Sequence, residues 1–185
     1  DFAAAKNYAI DLAKGDWIAF LDADEYFLPQ DAEKMMALLC DLQNSKYEVL
    51  MTNALHLDRE GEIAESNTCL RIFRNRPGLR YLGRIHEALA SYREEIEYID
   101  ATEELSIYHT GYLQSDESDV RKSKRNALLI EKVLEEEPDN YVMMGYLGDC
   151  YVNLKRYDEA VCLYEKVIAY FSDEELGEYD ARSAA

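Results

Sequence analysis

The sequence is defined first by what it lacks. No apolar run approaches the roughly eighteen residues needed to cross a bilayer, so no membrane-spanning helix is expected. It does not open on a basic segment leading into an apolar one, and no secretory signal is expected in it. No basic stripe offsets the net charge of −18, which argues against a nucleic-acid partner. The acids run along the whole chain and mark no tail, as on a solvated surface. Cys40, Cys69, Cys150 and Cys162 show no CxxC or CxxH spacing, so they are expected as reduced, core-type thiols of a cytoplasmic protein, free or at a membrane surface. There is neither an initiator Met nor a strand ahead of the first helical pattern, as expected of a piece from a longer, N-terminally truncated chain.

What is present supports a folded α/β body. The 185 residues are 48% hydrophobic, enough for one sizeable core or two small ones. Phe2, Ala5, Ala9, Leu12 and Ala13 recur at helical spacing, with Asp1 in an N-cap position and Gly15 in a stop position. WIAFL, 17–21, is a short continuous apolar run of the kind a strand covered on both faces carries. Pro29 suits the first turn of a second helix over 29–43. YEVLMTNALHLD and TCLRIFRN read as strands joined by a turn around Gly61, with a further turn at Arg76-Pro77-Gly78. GRIHEAL and LSIYHTGY are short apolar–polar segments. The fold expected is an α/β layer with an antiparallel extension over 1–113, followed by an all-α segment over 114–185.

Beyond Gly111 the periodicity is helical throughout. Leu147-Gly148, Tyr151, Ala160 and Tyr164 fall at the positions of a tetratricopeptide repeat over 141–171, with Met144 and Val167 as substitutes at two others. One period before Ser172 lies Pro138, so 121–137 is expected as the second helix of an earlier, incomplete repeat, and 173–183 as a cap. The boundary is placed near QSDESD, 114–119. Small residues let paired helices approach while aromatics fill the gaps, and the Tyr-rich helices are expected as core.

The chemistry concentrates after WIAFL, where LDADE places Asp22, Asp24 and Glu25 around one alanine. Ligands of open α/β sheets bind beyond the carboxyl ends of strands. Two carboxylates flanking a small residue there can hold a hard divalent cation, which neutralises a departing phosphate. A bare DxD is weak by itself, since a polar loop with a capping Asp reads the same way.

DFAAAKN, then GDWIAFLDADE, then CLRIFRNRP…YLGRIHEAL and IYHTGY, in that order, resemble the family 2 glycosyltransferases of GT-A fold. The resemblance is closest to a bacterial subgroup whose Rossmann-like transferase domain is followed by tetratricopeptide repeats. It implies transfer of a sugar, with inversion, from a nucleotide-diphosphate sugar to a hydroxyl of a glycan, lipid-linked or protein acceptor, with Mn2+ or Mg2+ as cofactor. It places Asp24 on the metal, Asp22 on the ribose or on the metal through water, and His109 as a further metal ligand. Asp1, Lys6 and Asn7 lie near the nucleotide and donor sugar. Lys6 stands where arginine is commoner, which keeps a point charge without the bidentate fork. Glu87 is the expected general base, with His86 the alternative. Glu25 would shape the loop or the acceptor site, and Arg71, Arg74 and Arg84 are expected as solvated strand charges. The early strands of that fold precede the DFAAAKN element, so the chain alone is expected to be inactive.

Two other readings remain open. A haloacid-dehalogenase phosphatase also ends a strand in DxD, but wants Thr or Val where Tyr26 stands. A tetratricopeptide module that binds a protein partner and carries a vestigial transferase domain is the other.

Overall fold

The computed structural model describes residues 1–92, 95–110 and 116–171, the side chains of 116–118 excepted. The expected cap at 173–183, the first part of the 114–119 boundary, and Gly111-Tyr112 lie outside the described residues. Two compact units are distinguished: 2–83 with 87–110, and 116–171 with Asp1 and 84–86. The fold is thus a mixed α/β layer followed by a helical segment.

The first unit is built on a six-stranded sheet. In chain order its elements are α1 (Phe2–Leu12), β1 (Trp17–Ala19), β2 (Glu25–Tyr26), α2 (Pro29–Asp41), β3 (Val49–Leu57), β4 (Ile63–Arg74), β5 (Leu79–Leu82), β6 (Ala88–Ser91), β7 (Tyr98–Asp100) and β8 (Ser106–His109). The strand order is β1-β4-β3-β8-β2, with β7 also pairing β3, while β5 and β6 form a separate antiparallel pair. The β3–β4 hairpin turns as expected at Gly61, whose φ of 85° suits glycine. Asp58 Oδ1 closes that turn by accepting from the Glu60 and Glu62 amides.

Strand alternation divides the core. Val49 and Phe73 face one side, with Ala3 and Ile10 of α1, Ile18, Leu79 and Tyr81. Their neighbours Leu50 and Ile72 face the other, with Met35, Leu38 and Leu39 of α2 against them. Consecutive strand residues point to opposite faces, so a sheet covered on both sides needs runs such as VL and IF. WIAFL obeys the same logic: Trp17 packs on the α2 side, Ile18 and Phe20 on the α1 side. Yet β1 is an edge strand of its sheet among the described residues, as β2 is at the other end, and Ala19 is exposed.

Two sequence expectations fail here. Arg71 and Arg74 are not solvated strand charges. Arg74 lies over the Trp17 ring at 4.6 Å and donates to the Leu42 and Tyr47 carbonyls at 2.6 and 3.0 Å, closing the end of α2. Arg71 is taken up by the acidic loop described below. Arg84, by contrast, is part-exposed and pairs with Glu136 at 2.8 Å. Cys40 and Cys162, expected in a core, are exposed, whereas Cys150 is buried; all four thiols are free.

The second unit contains α3 (Asp116–Glu136), α4 (Tyr141–Asn153) and α5 (Tyr157–Tyr170). Asn140 caps α4 by accepting from the Met143 amide. Met144, Leu147, Cys150, Tyr151, Ala160 and Val167 are buried and form the core, while Tyr157 and Tyr170, expected with them, are exposed. A Cβ on Gly148 would stand 2.5 Å from the Tyr164 ring, which is why α4 and α5 approach closely there. Lys155, at φ 60°, carries the turn between them without a glycine.

Candidate functional site

The acidic loop leaves β1 and enters β2, and each of its acids has a different fate. Asp22 and Glu25 are both gripped by Arg71, whose Nη1 lies 2.9 Å from Asp22 Oδ2 and 2.9 Å from Glu25 Oε2. Glu25 is the buried member, with 5% of its side chain exposed, and it also accepts from the Asp22 amide at 2.8 Å. Burial opposes the charge on Arg71, but Glu25 and Asp22 more than offset it and hold its pKa above the ordinary value. Glu25 thus shapes the loop, through an arginine that sequence reading left in solvent. The arginine's partners are set by strand pairing, which brings the Arg71 backbone opposite Phe20 just ahead of the acidic loop.

Asp24 turns the other way. Its carbonyl accepts from both the Thr110 amide and hydroxyl, at 3.0 and 3.1 Å, which fixes the loop to the end of β8. Its Oδ2 stands 3.3 Å from His109 Nε2. Register explains the meeting: Glu25 pairs with His109 across β2–β8, and His56 pairs with His109 across β3–β8. His109 Nδ1 lies 2.8 Å from His56 Nδ1, and His56 Nε2 lies 2.6 Å from Asn67 Oδ1. His56 and Asn67 were passed over in the sequence, because a single histidine inside a strand pattern carries no local sign of a partner.

The separation of Asp24 and His109 can be tested against a shared ion. Oxygen and imidazole ligands sit about 2.1 Å from a small divalent cation, so two at right angles stand about 3 Å apart. The observed 3.3 Å fits that edge. Among the described residues, however, no group of three His, Cys, Asp or Glu side chains is disposed to hold a metal. Any ion here would take further ligands from a bound phosphate or water, as Mg2+ commonly does.

The remaining predicted residues fall elsewhere. Lys6 Nζ is 2.6 Å from Glu87 Oε1, with both side chains about six-sevenths buried, and it lies 4.7 and 5.2 Å from the Tyr81 and Phe20 ring centres. Asn7 clasps the Tyr81 backbone from both sides, donating to its carbonyl at 2.8 Å and accepting from its amide at 2.9 Å. Lys6 and Asn7 thus anchor α1 to β5 and to the β5–β6 connection. Burial pushes the Tyr81 hydroxyl well above its ordinary pKa. His86 adopts φ 51° and stacks on Tyr146 within the second unit, ring centres 3.6 Å apart. Asp1 is exposed ahead of α1.

Residues 1–47 match the model of the family described as Glycosyl transferase family 2. The chain is 26% identical over 168 residues to the SPbeta prophage-derived glycosyltransferase SunS of Bacillus subtilis, covering 91% of this chain and 39% of that protein. It is 30% identical over 154 residues to a TPR repeat-containing protein of Synechococcus elongatus, covering 80% of this chain and 37% of that one. The resemblance to family 2 glycosyltransferases with helical repeats is borne out, and the chain spans about two-fifths of the length of these relatives. No described helix is long and apolar enough to cross a membrane.

Proposed function

We propose that this chain carries the metal- and diphosphate-holding part of a glycosyltransferase that moves a sugar from a nucleotide-diphosphate sugar to an acceptor hydroxyl. The meeting of Asp24 and His109 at 3.3 Å, from positions far apart in the chain, is the observation that supports this reading most. Asp24 and His109 would hold Mn2+ or Mg2+, which when bound offsets the charge left on the diphosphate. Asp22, with 48% of its side chain exposed, remains able to reach a ribose while Arg71 steadies it.

In the reaction proposed, the acceptor oxygen bonds to the anomeric carbon as the bond to the diphosphate oxygen breaks. The electron pair leaves with the nucleotide diphosphate, and the displacement inverts the centre. Glu87 takes the acceptor proton, with Lys6 beside it at 2.6 Å; His86 is the alternative base. Lys6 and Asn7 act nearby by fixing α1, and Asp1 stands ahead of that helix. The acceptor is a glycan, a lipid-linked sugar or a protein, and the helical repeats offer a surface for a protein partner. Free thiols favour the cytoplasm. We place the domain boundary at 113/114.

The test is binding of a nucleotide-diphosphate sugar to the chain with and without Mn2+, measured by calorimetry. Binding that requires Mn2+ and is lost in Asp24→Ala is the expected result. Equal binding in both conditions, unaffected by Asp24→Ala, overturns it and favours the rival reading, a protein-interaction module with a vestigial transferase domain.

A further inference from the structure

Tyr81 links the acidic loop to the Lys6–Glu87 pair. Its ring meets Phe20 edge-on at 5.8 Å, two residues ahead of Asp22, and Phe73 at 5.9 Å. Phe20 in turn donates its amide to the Arg71 carbonyl at 2.8 Å, and the Arg71 side chain grips Asp22. From α1, Lys6 Nζ lies 4.7 Å from the Tyr81 ring centre and 2.6 Å from Glu87 Oε1. The Asn7 clasp fixes the backbone from which the ring projects. Backbone and ring are both held.

The hydroxyl is not. Among the described residues it has no hydrogen-bond partner, although a buried tyrosine usually finds one. Nor is it sealed in: the enclosed side-chain polar atoms without a partner, among the described residues, are Asp31 Oδ2 and Arg76 Nε. The Tyr81 oxygen therefore belongs to the 5% of the residue that stays exposed. Its partner has to come from outside the protein.

Chemistry and position narrow that partner. Burial raises the Tyr81 pKa; Arg71 pulls the other way, while Glu87 and Asp22 add to the rise. The phenol is neutral at ordinary pH, one donor and one acceptor in the same group, which matches a sugar hydroxyl. A diphosphate oxygen is met more strongly by a cation. In a displacement with inversion the sugar lies between the leaving diphosphate and the attacking oxygen. Tyr81 is the link between the loop of Asp22, proposed on the ribose, and Glu87, proposed as the base.

We propose that Tyr81 is a specificity-determining residue, its hydroxyl exchanging a hydrogen bond with a hydroxyl of the donor sugar. This rests on the transferase reading above. Because backbone and ring are fixed, the phenol cannot follow a sugar whose hydroxyl points elsewhere, and such a donor loses the bond.

Tyr81→Phe tests this, since it keeps the ring with its Phe20, Phe73 and Lys6 contacts and removes the hydroxyl alone. Calorimetry in Mn2+ compares UDP-glucose and GDP-mannose with their parent diphosphates, UDP and GDP, on the unaltered chain and the variant. Binding of at least one nucleotide sugar is expected to weaken about 3–10-fold, with its parent diphosphate bound as before. The urea midpoint is expected to stay unchanged, because the hydroxyl holds nothing within the protein. A clear loss of stability would reveal an internal partner and overturn the proposal. Equal weakening of sugar and diphosphate, or no weakening of either, overturns it too and leaves the transferase reading standing. If neither nucleotide sugars nor diphosphates bind the unaltered chain, the transferase reading fails and this inference falls with it.

Discussion

Arg71 and Glu25 stand 2.9 Å apart, Nη1 to Oε2, with the glutamate almost fully buried beneath the acidic loop. The arginine therefore neutralises a carboxylate that the loop cannot expose, and only secondarily meets Asp22. Replacing Arg71 with Ala leaves Glu25 unpaired. Breaking a fully buried pair costs about 3–5 kcal/mol, and partial exposure of Arg71 lowers this to about 2 kcal/mol. Urea unfolding should show that loss, and a much smaller one for Asp22→Asn, because Asp22 is half-exposed.

Asn7 was expected near the nucleotide; in the structure it clasps the Tyr81 backbone. Asn7→Ala removes both hydrogen bonds to the Tyr81 backbone and strands two polar groups between α1 and β5. At roughly 1 kcal/mol each, the expected destabilisation is about 2 kcal/mol by urea unfolding. A variant as stable as the unaltered protein would show the clasp to be dispensable.

Gly148 sets the spacing of α4 and α5. Gly148→Ala gains up to about 1 kcal/mol of helix propensity but drives a methyl into the Tyr164 ring. Overpacking of that kind costs about 1–3 kcal/mol, so a net fall in Tm is expected. Adding Tyr164→Leu should recover part of it, and a pair of strictly additive effects would refute the contact.

Alkaline stability follows from the buried thiols and phenols. Burial, with a smaller push from Asp149, raises the Cys150 pKa to about 11. An unfolded cysteine titrates near 8.5, so the folded state holds its proton more tightly. The resulting stabilisation is complete below about pH 8.5 and is lost as pH rises through about 11. Cys69 and Tyr151, also raised chiefly by burial, act in the same direction. The Tm should fall across this window, and Cys150→Ala should flatten part of the fall. In neutral thiol labelling, exposed Cys40 and Cys162 should react well before Cys150.

The sequence by itself determined the elements whose causes are local. Helical spacing placed α1, α2 and the repeat helices, Pro29 opened α2, and Gly61 marked the hairpin turn. The order of motifs sufficed to mark the family, because DFAAAKN and LDADE both lie within the 47 residues that match it. The apolar–polar segment at 105–109 gave no sign of being a strand inside the sheet, between β3 and β2. That position is set by hydrogen bonds to partners distant in the chain.

Only the tertiary structure decided how the acids are partnered. Asp22, Asp24 and Glu25 look equivalent in a five-letter motif, yet strand register sends two to Arg71 and one to His109. Register is a long-range property: a one-residue slip of β8 would turn His109 to the other face and separate it from both Asp24 and His56. Electrostatics then sharpens the difference, since a buried carboxylate must have a cation fixed beside it, while an exposed one is solvated without it.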